Sequence, residues 1–281
     1  MKVAKSIRGV RSVCQSWRAQ GEEIAFVPTM GALHAGHLSL VDRARKLAPR
    51  VATSIFVNPT QFGPGEDFDK YPRTTRSDLK AFRERGVDLC FLPTKEVMYS
   101  EDHRTKVQVT GLGKLLEGQT RPDHFAGVAL VVLKLLNMVQ PNILILGQKD
   151  AQQAVVVETM IRDLDLPVKL VRGPIIRDRD GLALSSRNRY LNAKQRAAAP
   201  ILWKTIKEAR RLVQQGERSP RRLVQKLEKQ LMAEPELKLD YVVAVNALTL
   251  EPVSKLEGRI LIALAAYFGK TRLIDNIEIR V

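Results

Sequence analysis

Short apolar runs alternate with amphipathic stretches over the first part of the chain. The apolar runs have the length of buried strands and lie at Ile24–Pro28, Val51–Val57, Leu89–Leu92, Ile143–Leu146 and Val168–Val171. Hydrophobic positions with a helical period predict helices between them, at 37–48, 75–85, 125–139 and 150–164. Strands that alternate with helices favour a parallel sheet covered by helices on both faces. We therefore predict an α/β domain over residues 1–175.

The pattern changes after residue 175. Charged amphipathic stretches predict two helices, at Ala193–Gly216 and Pro220–Met232. Short apolar runs after them predict three strands, at Tyr241–Val245, Arg259–Ala265 and Arg272–Ile279. Helices followed by strands are typical of a small α+β domain, which we place at residues 176–281.

The composition supports ordinary folded domains in a reducing compartment. The chain has 281 residues, of which 44% are hydrophobic, so one large or two smaller cores are possible. Two cysteines, Cys14 and Cys90, support neither a disulfide framework nor a metal site. The N-terminus lacks the apolar core of a signal peptide, and the apolar runs are too short to span a bilayer. We predict a cytoplasmic protein without a membrane partner.

The formal charge of +16 is the unusual number in the composition. It could indicate a nucleic-acid partner. However, the lysines and arginines are spread along amphipathic helices, and aromatic residues make up only 5% of the chain, so no stacking motif is visible. We favour a solvated basic surface over a nucleic-acid interface and keep the second as the alternative.

The segment from Phe26 to His37 contains the strongest candidate chemistry. An apolar strand runs into a glycine-containing turn, and His34 and His37 stand at the start of a helix. A helix N-terminus after a strand suits phosphate, because it offers unpaired N–H groups and positive partial charge. The segment lacks the His-Glu-x-x-His, P-loop and Gly-x-Gly-x-x-Gly patterns. We predict a nucleotide site here; the alternative is a pair of surface or core histidines.

Polar residues also follow two other predicted strands. Asn58 and Gln61 come after the second strand, and their amides suit a polyhydroxy or carboxylate substrate, although Asn-Pro also commonly opens a turn. Lys149 follows the fourth strand and could reach a phosphate, whereas Asp150 could simply cap the next helix. Such residues line the ligand crevice of a parallel sheet, because they lie beyond the carboxyl ends of its strands.

A third polar segment, Ile176–Asn188, lies just past the predicted domain boundary. It carries a glycine, two adjacent hydroxyl residues and an arginine, which are suitable donors for a triphosphate. A mobile lid is expected at such a place, and a polar interdomain loop is the alternative.

Taken together, these segments resemble the pantothenate synthetase (pantoate–β-alanine ligase) family. The resemblance extends over nearly the whole chain and rests on Val27–Gly31 with His34 and His37, Ser54–Phe62, Tyr71–Thr74, Leu116–Gly118, Arg121–Pro122, His124–Phe125, Gly147–Gln153, Asp180–Asn188 and Leu273–Asn276. It implies a Rossmann-like nucleotidyltransferase domain, a small C-terminal domain that acts as a lid, and a homodimer.

The resemblance also implies a reaction. The family joins pantoate to β-alanine with ATP and magnesium. The pantoate carboxylate attacks the α-phosphorus to give pantoyl adenylate and pyrophosphate, and the β-alanine amine then displaces AMP. Such chemistry depends on positioning and charge neutralisation, which agrees with the absence of a Gly-x-Ser-x-Gly nucleophile motif.

Site residues follow from the resemblance position by position. The implied catalytic residues are His34, His37, Lys149 and Arg187. The implied ATP-binding residues are Met30, Gly31, Ala32, Leu33, His34, Ala35, Gly36, His37, Gly147, Gln148, Lys149, Asp150, Ile176, Leu184, Ser185, Ser186 and Arg187. Gln61 and Gln153 are implied to bind pantoate, with Gln61 also near β-alanine. Further positions around the substrate cavity are Tyr71, Glu117 and Arg121.

Two departures from the family pattern affect the electrostatics. Gln148 stands where the family commonly has glutamate, next to Lys149, and Arg76 and Ser77 precede Asp78 where relatives carry further carboxylates. We therefore predict no metal held by protein side chains, and magnesium is expected to arrive with ATP. The competing functions are a nucleotidyltransferase that acts on a phosphorylated acceptor, which would need more cationic residues near Gln61 and Gln153, and a non-enzymatic nucleic-acid-binding protein.

Overall fold

The computed structural model describes residues 1–281 and divides the chain into two units, Met1–Pro174 and Ile175–Val281. No helix in either unit is both long enough and apolar enough to cross a membrane.

The first unit is built on a six-stranded sheet in which all paired strands are parallel. Its strands are β1 (Lys2–Ala4), β2 (Ile24–Thr29), β3 (Arg50–Ile55), β4 (Leu89–Phe91), β5 (Ile143–Gly147) and β6 (Lys169–Gly173). Their order across the sheet is β1-β4-β3-β2-β5-β6. The predicted α/β parallel sheet is confirmed, and β1 was missed because three residues at an edge carry too little pattern.

Seven helices accompany this sheet; the four at 35–47, 75–84, 124–139 and 151–163 were predicted, and the other three were not. They are α1 (Ile7–Ala19), α2 (Ala35–Leu47), α3 (Thr75–Glu84), α4 (Lys95–Met98), α5 (Glu117–Thr120), α6 (His124–Val139) and α7 (Ala151–Asp163). Alternate strand residues enter two different apolar clusters: Phe26 and Leu144 belong to one, and Val27 and Ile145 to the other. Because neighbouring side chains of a strand point to opposite faces, both faces of the sheet are covered.

The strand order places a crevice beside β2. From β2 the chain proceeds to β3 and then β4 on one side, and it later returns to β5 and β6 on the other. β2 pairs with β3 as far as Thr29, but it pairs with β5 only at Ala25 and Phe26. The carboxyl ends of β2 and β5 are therefore not joined, and the segments that follow them meet at the switch point where ligands of such sheets bind.

The second unit has three helices and an antiparallel sheet. The helices are α8 (Ala193–Ala198), α9 (Ile201–Gln214) and α10 (Pro220–Met232), and the sheet has the order β7 (Leu237–Asn246), β8 (Arg259–Phe268), β9 (Thr271–Arg280). The prediction of one helix over Ala193–Gly216 was wrong, because the helix breaks before Pro200. Proline lacks an N–H group, and its ring would clash with the carbonyl of Arg196 in a continuous helix.

Candidate active site

The residues that follow β2 and β5 come together at the switch point. Met30–His34 lead from β2 into α2, and Gln148–Asp150 form one 3-10 turn between β5 and α7. Helix α2 lies against this side of the sheet: a Cβ on Gly173 of β6 would stand 2.1 Å from Leu40 Cδ2. Lys149 and Asp150 are close enough to His37 to act on its charge. The predicted neighbours of the histidine pair are thus present.

The two histidines form a reciprocal cap at the start of α2. His34 is the N-cap residue, and its Nδ1 accepts a hydrogen bond from the Gly36 N–H at 3.1 Å. His37 Nδ1 accepts from the His34 N–H at 3.4 Å, and the two ring centroids are 4.0 Å apart. A neutral imidazole that accepts at Nδ1 carries its hydrogen on Nε2. The backbone therefore fixes the tautomer of both rings.

The turn before this cap is held by one buried carboxylate. Gly31 and Ala32 both have left-handed backbone angles, with φ of 83° and 50°. Asp78 accepts from the Ala32 N–H through Oδ2 and from the Leu33 N–H through Oδ1, each at 3.0 Å. Thr74 donates its hydroxyl to the same carboxylate at 3.1 Å. Asp78 is thus a structural determinant of the turn, although the sequence analysis named it only as the carboxylate that follows Arg76 and Ser77.

These contacts change the reason for expecting phosphate here. The main-chain N–H groups of five residues already have side-chain acceptors: Gly31, Ala32, Leu33, His34 and Gly36. The idea that the helix N-terminus offers unpaired N–H groups in this turn was wrong for these positions, because Thr29, Asp78 and the histidines occupy them. The two imidazole Nε2–H groups are further donors in this motif.

Burial keeps the second histidine neutral. Burial is the largest cause that lowers the pKa of His37, and the neighbouring His34 lowers it further, to about 3. Asp150 acts in the opposite direction and Lys149 in the same direction, with smaller effects. At neutral pH His37 is therefore a hydrogen-bond donor without a formal charge.

The segment after β3 holds the amide of Gln61 in one orientation. Asn58 Nδ2 donates to Gln61 Oε1 at 3.0 Å, so the amide nitrogen of Gln61 is directed away from Asn58 and lies 3.2 Å from Met30 Sδ. Asn58 Oδ1 in turn accepts from the Tyr99 hydroxyl at 2.8 Å and from Thr60. For Asn58 the turn-forming alternative agrees with the structure, because its amide is fully used inside the protein. Gln61 thus adjoins Met30 of the nucleotide segment.

The segment after β5 contains one residue with a purely structural contact pattern. Gln152 is buried; its amide accepts from the Glu117 N–H at 3.0 Å and donates to the carbonyls of Leu112 and Leu115 at 2.9 and 2.7 Å. The next residue, Gln153, is half-buried. Asp150 stands at the N-cap position of α7 without a side-chain capping bond, and its Oδ1 lies 3.6 Å from Lys149 Nζ.

The predicted phosphate loop lies in the second unit, where a β-bridge and a buried ion pair hold its base. Arg177 and Ala183 form the bridge, and the Leu184 N–H donates to the Ile176 carbonyl at 2.9 Å. Arg177 binds Asp275 through two hydrogen bonds of 2.6 and 2.8 Å. These contacts fix the base of the loop.

Ser185 begins the 3-10 turn Ser186–Tyr190 at the end of this loop. The Ser185 hydroxyl accepts from the Arg187 N–H at 3.3 Å. The implied ATP-binding residues Ile176 and Leu184 to Arg187 therefore lie in one loop of the second unit, whereas all the other implied site residues lie in the first.

Known proteins resemble this chain over nearly its full length. The family profile described as pantoate-beta-alanine ligase matches residues 2–278. A pantothenate synthetase from Thermoanaerobacter pseudethanolicus is 48% identical over 277 residues, which are 99% of this chain and 98% of the relative. Another, from Acetivibrio thermocellus, is 45% identical over 281 residues, and 100% of each chain is covered.

Solved structures agree. A crystal structure of the pantothenate synthetase from Thermus thermophilus superposes with a TM-score of 0.95 at 44% identity, with 100% of both chains covered. A pantoate-beta-alanine ligase from Francisella tularensis, complexed with beta-gamma ATP and beta-alanine, has a TM-score of 0.79 at 34% identity over 99% of this chain and 97% of that one. The chain belongs to the pantoate-beta-alanine ligase family.

Proposed function

We propose that the protein joins (R)-pantoate and β-alanine to form pantothenate, with ATP as the second substrate. The pantoate carboxylate attacks the α-phosphorus of ATP, which forms pantoyl adenylate and releases pyrophosphate. The β-alanine amine then attacks the acyl carbon and releases AMP. The observation that carries this proposal is family membership over the whole chain, combined with two tautomer-fixed imidazoles at the strand switch point.

The histidines would act as hydrogen-bond donors to the triphosphate. Both rings use Nδ1 for the backbone, so each can direct an Nε2–H toward an anionic oxygen. His37 is neutral before ATP binds, and the negative charge of ATP would raise its pKa. The preset rings would thus stabilise charge as it moves onto the leaving pyrophosphate, without reorientation during the reaction.

The acceptor side of the site presents a neutral amide, which suits a monocarboxylate better than a phosphorylated acceptor. The Gln61 amide nitrogen is a donor suited to the pantoate carboxylate or hydroxyl groups. Arg121 lies nearby, but its guanidinium already binds Glu66 at 2.6 Å and the Gln61 carbonyl at 3.2 Å. A phosphorylated acceptor would require cationic groups that are free for it, which makes the alternative nucleotidyltransferase function less suitable here.

The remaining assignments are extensions of this proposal by family resemblance. Lys149 and the Ser185–Arg187 loop would bind the phosphates, with residues 176–281 as a lid, and Gln153 would assist Gln61 with pantoate. No group of three or more His, Cys, Asp or Glu residues could hold a metal ion, so Mg²⁺ would enter with the ATP phosphates. A cytoplasmic homodimer is the proposed form of the enzyme.

The decisive assay is ATP–pyrophosphate exchange with and without pantoate. We expect exchange only when pantoate is present, and pantothenate only when β-alanine is added as well. Exchange that proceeds equally without pantoate, or that never occurs, would refute the proposal.

Two variants of His37 separate its chemical role from its capping role. Glutamine at the third helical position can accept from the N-cap N–H, so His37→Gln should keep the cap while it removes the imidazole. His37→Ala removes both. We expect pantoyl adenylate formation to slow by roughly 10²-fold or more in both variants, with normal thermal stability only in His37→Gln. Normal single-turnover rates in His37→Gln would exclude a role in the chemistry.

A further inference from the structure

Gln61 lies at the end of a turn whose main-chain hydrogen bonds are long. The turn Pro59–Gln61 is a single 3-10 segment, in which Asn58 Oδ1 accepts from Thr60. Its main-chain hydrogen bonds, from the Gln61 N–H to the Asn58 carbonyl and from the Phe62 N–H to the Pro59 carbonyl, are 3.5 and 3.3 Å long. Bonds of that length are weak. We therefore expect groups outside the turn to contribute to the position of Gln61.

The main-chain carbonyl of Gln61 is held by the side chains of His124, the first residue of α6, and Arg121, which follows α5. His124 Nδ1 lies 2.8 Å from this oxygen, and Arg121 Nη2 lies 3.2 Å from it. A carbonyl oxygen can only accept, so His124 carries its hydrogen on Nδ1. Its Nε2, 3.2 Å from Arg121 Nη1, is then the acceptor of a hydrogen bond from the guanidinium. Glu66 neutralises Arg121 through two bonds of 2.6 Å.

This arrangement requires a neutral histidine. Burial is the largest cause that lowers the pKa of His124, and Arg121 lowers it further, to about 4. A second proton on Nε2 would face the guanidinium, which the geometry does not allow. At neutral pH the ring is therefore a fixed donor to the Gln61 carbonyl.

The backbone of α6 also packs directly on this peptide. A Cβ at Gly127 would stand 2.2 Å from the Thr60 carbonyl oxygen and 2.7 Å from the Gln61 nitrogen. Only glycine permits that approach. The Gly127 carbonyl accepts from Asn58 Nδ2 at 3.1 Å, and the same Nδ2 donates to the Gln61 side chain. The first turn of α6 thus contacts both the main chain of Gln61 and the residue that orients its amide.

We propose that His124 is a positioning residue for pantoate: with Arg121 and the close contact at Gly127, it sets the Gln61 carbonyl and thereby the direction of the Gln61 amide. This inference rests on the proposed function, in which Gln61 binds pantoate. His124 acts through Gln61 and needs no contact with the substrate.

Two substitutions of His124 test the donor itself. His124→Phe keeps a ring and removes the hydrogen bond, whereas His124→Asn keeps an N–H donor near the position of Nδ1. Asn137→Ala is the control, because Asn137 is exposed on the same helix. The measurements are the KM values for pantoate and ATP, kcat, the melting temperature, and pantoate binding by calorimetry.

We expect His124→Phe to raise the KM and the dissociation constant of pantoate about tenfold, the effect of one lost hydrogen bond, with the KM of ATP within about twofold. His124→Asn should recover most of the loss. Gly127→Ala should weaken pantoate binding in the same direction, because its Cβ displaces the Thr60–Gln61 peptide.

The outcomes separate this inference from the proposed function. If wild type and Asn137→Ala are active but His124→Phe binds pantoate normally, the inference fails alone. It also fails if the KM values of pantoate and ATP rise together, or if His124→Asn is as defective as His124→Phe. A wild-type protein that neither binds nor uses pantoate would overturn the proposed function and this inference with it.

Discussion

Removal of the Asp78 carboxylate should loosen the nucleotide turn and lower the stability of the protein. Asp78 is 3% exposed and accepts the N–H groups of Ala32 and Leu33, each at 3.0 Å. The backbone of this turn is strained, because Ala32 has a φ of 50°. A left-handed conformation costs a non-glycine residue about 1–2 kcal/mol. The carboxylate therefore compensates for a strained backbone.

The expected magnitude follows from these bonds. A buried donor that loses its acceptor costs about 1–3 kcal/mol, so Asp78→Ala should lower the free energy of unfolding by about 2–6 kcal/mol. Since Leu33 is only partly buried, the lower half of that range is expected. Asp78→Asn keeps one oxygen acceptor and should cost about half as much, because its NH₂ group would face the other N–H.

Urea unfolding and the KM for ATP measure the two consequences. Glu84→Ala is the matched control, because Glu84 lies on the same helix and is exposed, and its loss should stay within about 0.5 kcal/mol. The KM for ATP should rise in Asp78→Ala and Asp78→Asn, and remain unchanged in Glu84→Ala. If the free energies of unfolding of Asp78→Ala and Glu84→Ala agree within about 0.5 kcal/mol, the Asp78 carboxylate does not stabilise the turn.

Two further predictions concern ionisable groups: two histidines held neutral in the first unit and an ion pair in the second. His37 and His124 have lowered pKa values of about 3 and 4 in the folded protein, against an ordinary 6.5, so between those values and 6.5 the unfolded chain binds more protons. The contribution of each histidine to the free energy of unfolding should therefore be complete above pH 6.5 and fall as the pH drops toward 4, by up to about 1.4 kcal/mol per pH unit. Urea unfolding at several pH values should show a smaller dependence on pH in His37→Gln than in the wild type. An unchanged dependence would contradict this prediction. In the second unit, Arg177→Met should lower the free energy of unfolding by about 3–5 kcal/mol, because it leaves Asp275 buried without its cation. The double variant Arg177→Met/Asp275→Asn should recover part of that loss, and strictly additive losses would mean that the ion pair does not act as a unit.

The sequence pattern predicted the secondary structure well where an element has a long apolar signal. The five predicted strands and four predicted helices of the first unit lie within two residues of those observed. Helices α1, α4 and α5 were not predicted. Two other exceptions have local causes. Strand β1 has three residues at the sheet edge, and the predicted helix over Ala193–Gly216 ignored the effect of Pro200.

The sequence also located the candidate chemistry but not the contacts that arrange it. The motif around His34 and His37 and the amide of Gln61 could be selected because they follow buried strands. That the two imidazoles accept main-chain hydrogens could not be foreseen, since histidine is not a usual capping residue. For the same reason, the sequence predicted unpaired N–H groups at positions where the structure pairs them with side chains.

By itself, the sequence determined the parallel sheet, most of its strands and helices, and the candidate residues that follow the strand ends, because periodicity and strand ends are local properties. Only the tertiary structure decided how those residues are held. Asp78 reaches Ala32 across 46 positions, and His124 reaches Gln61 across 63. Such pairings depend on the packing of distant segments, which leaves no periodic signal in either one.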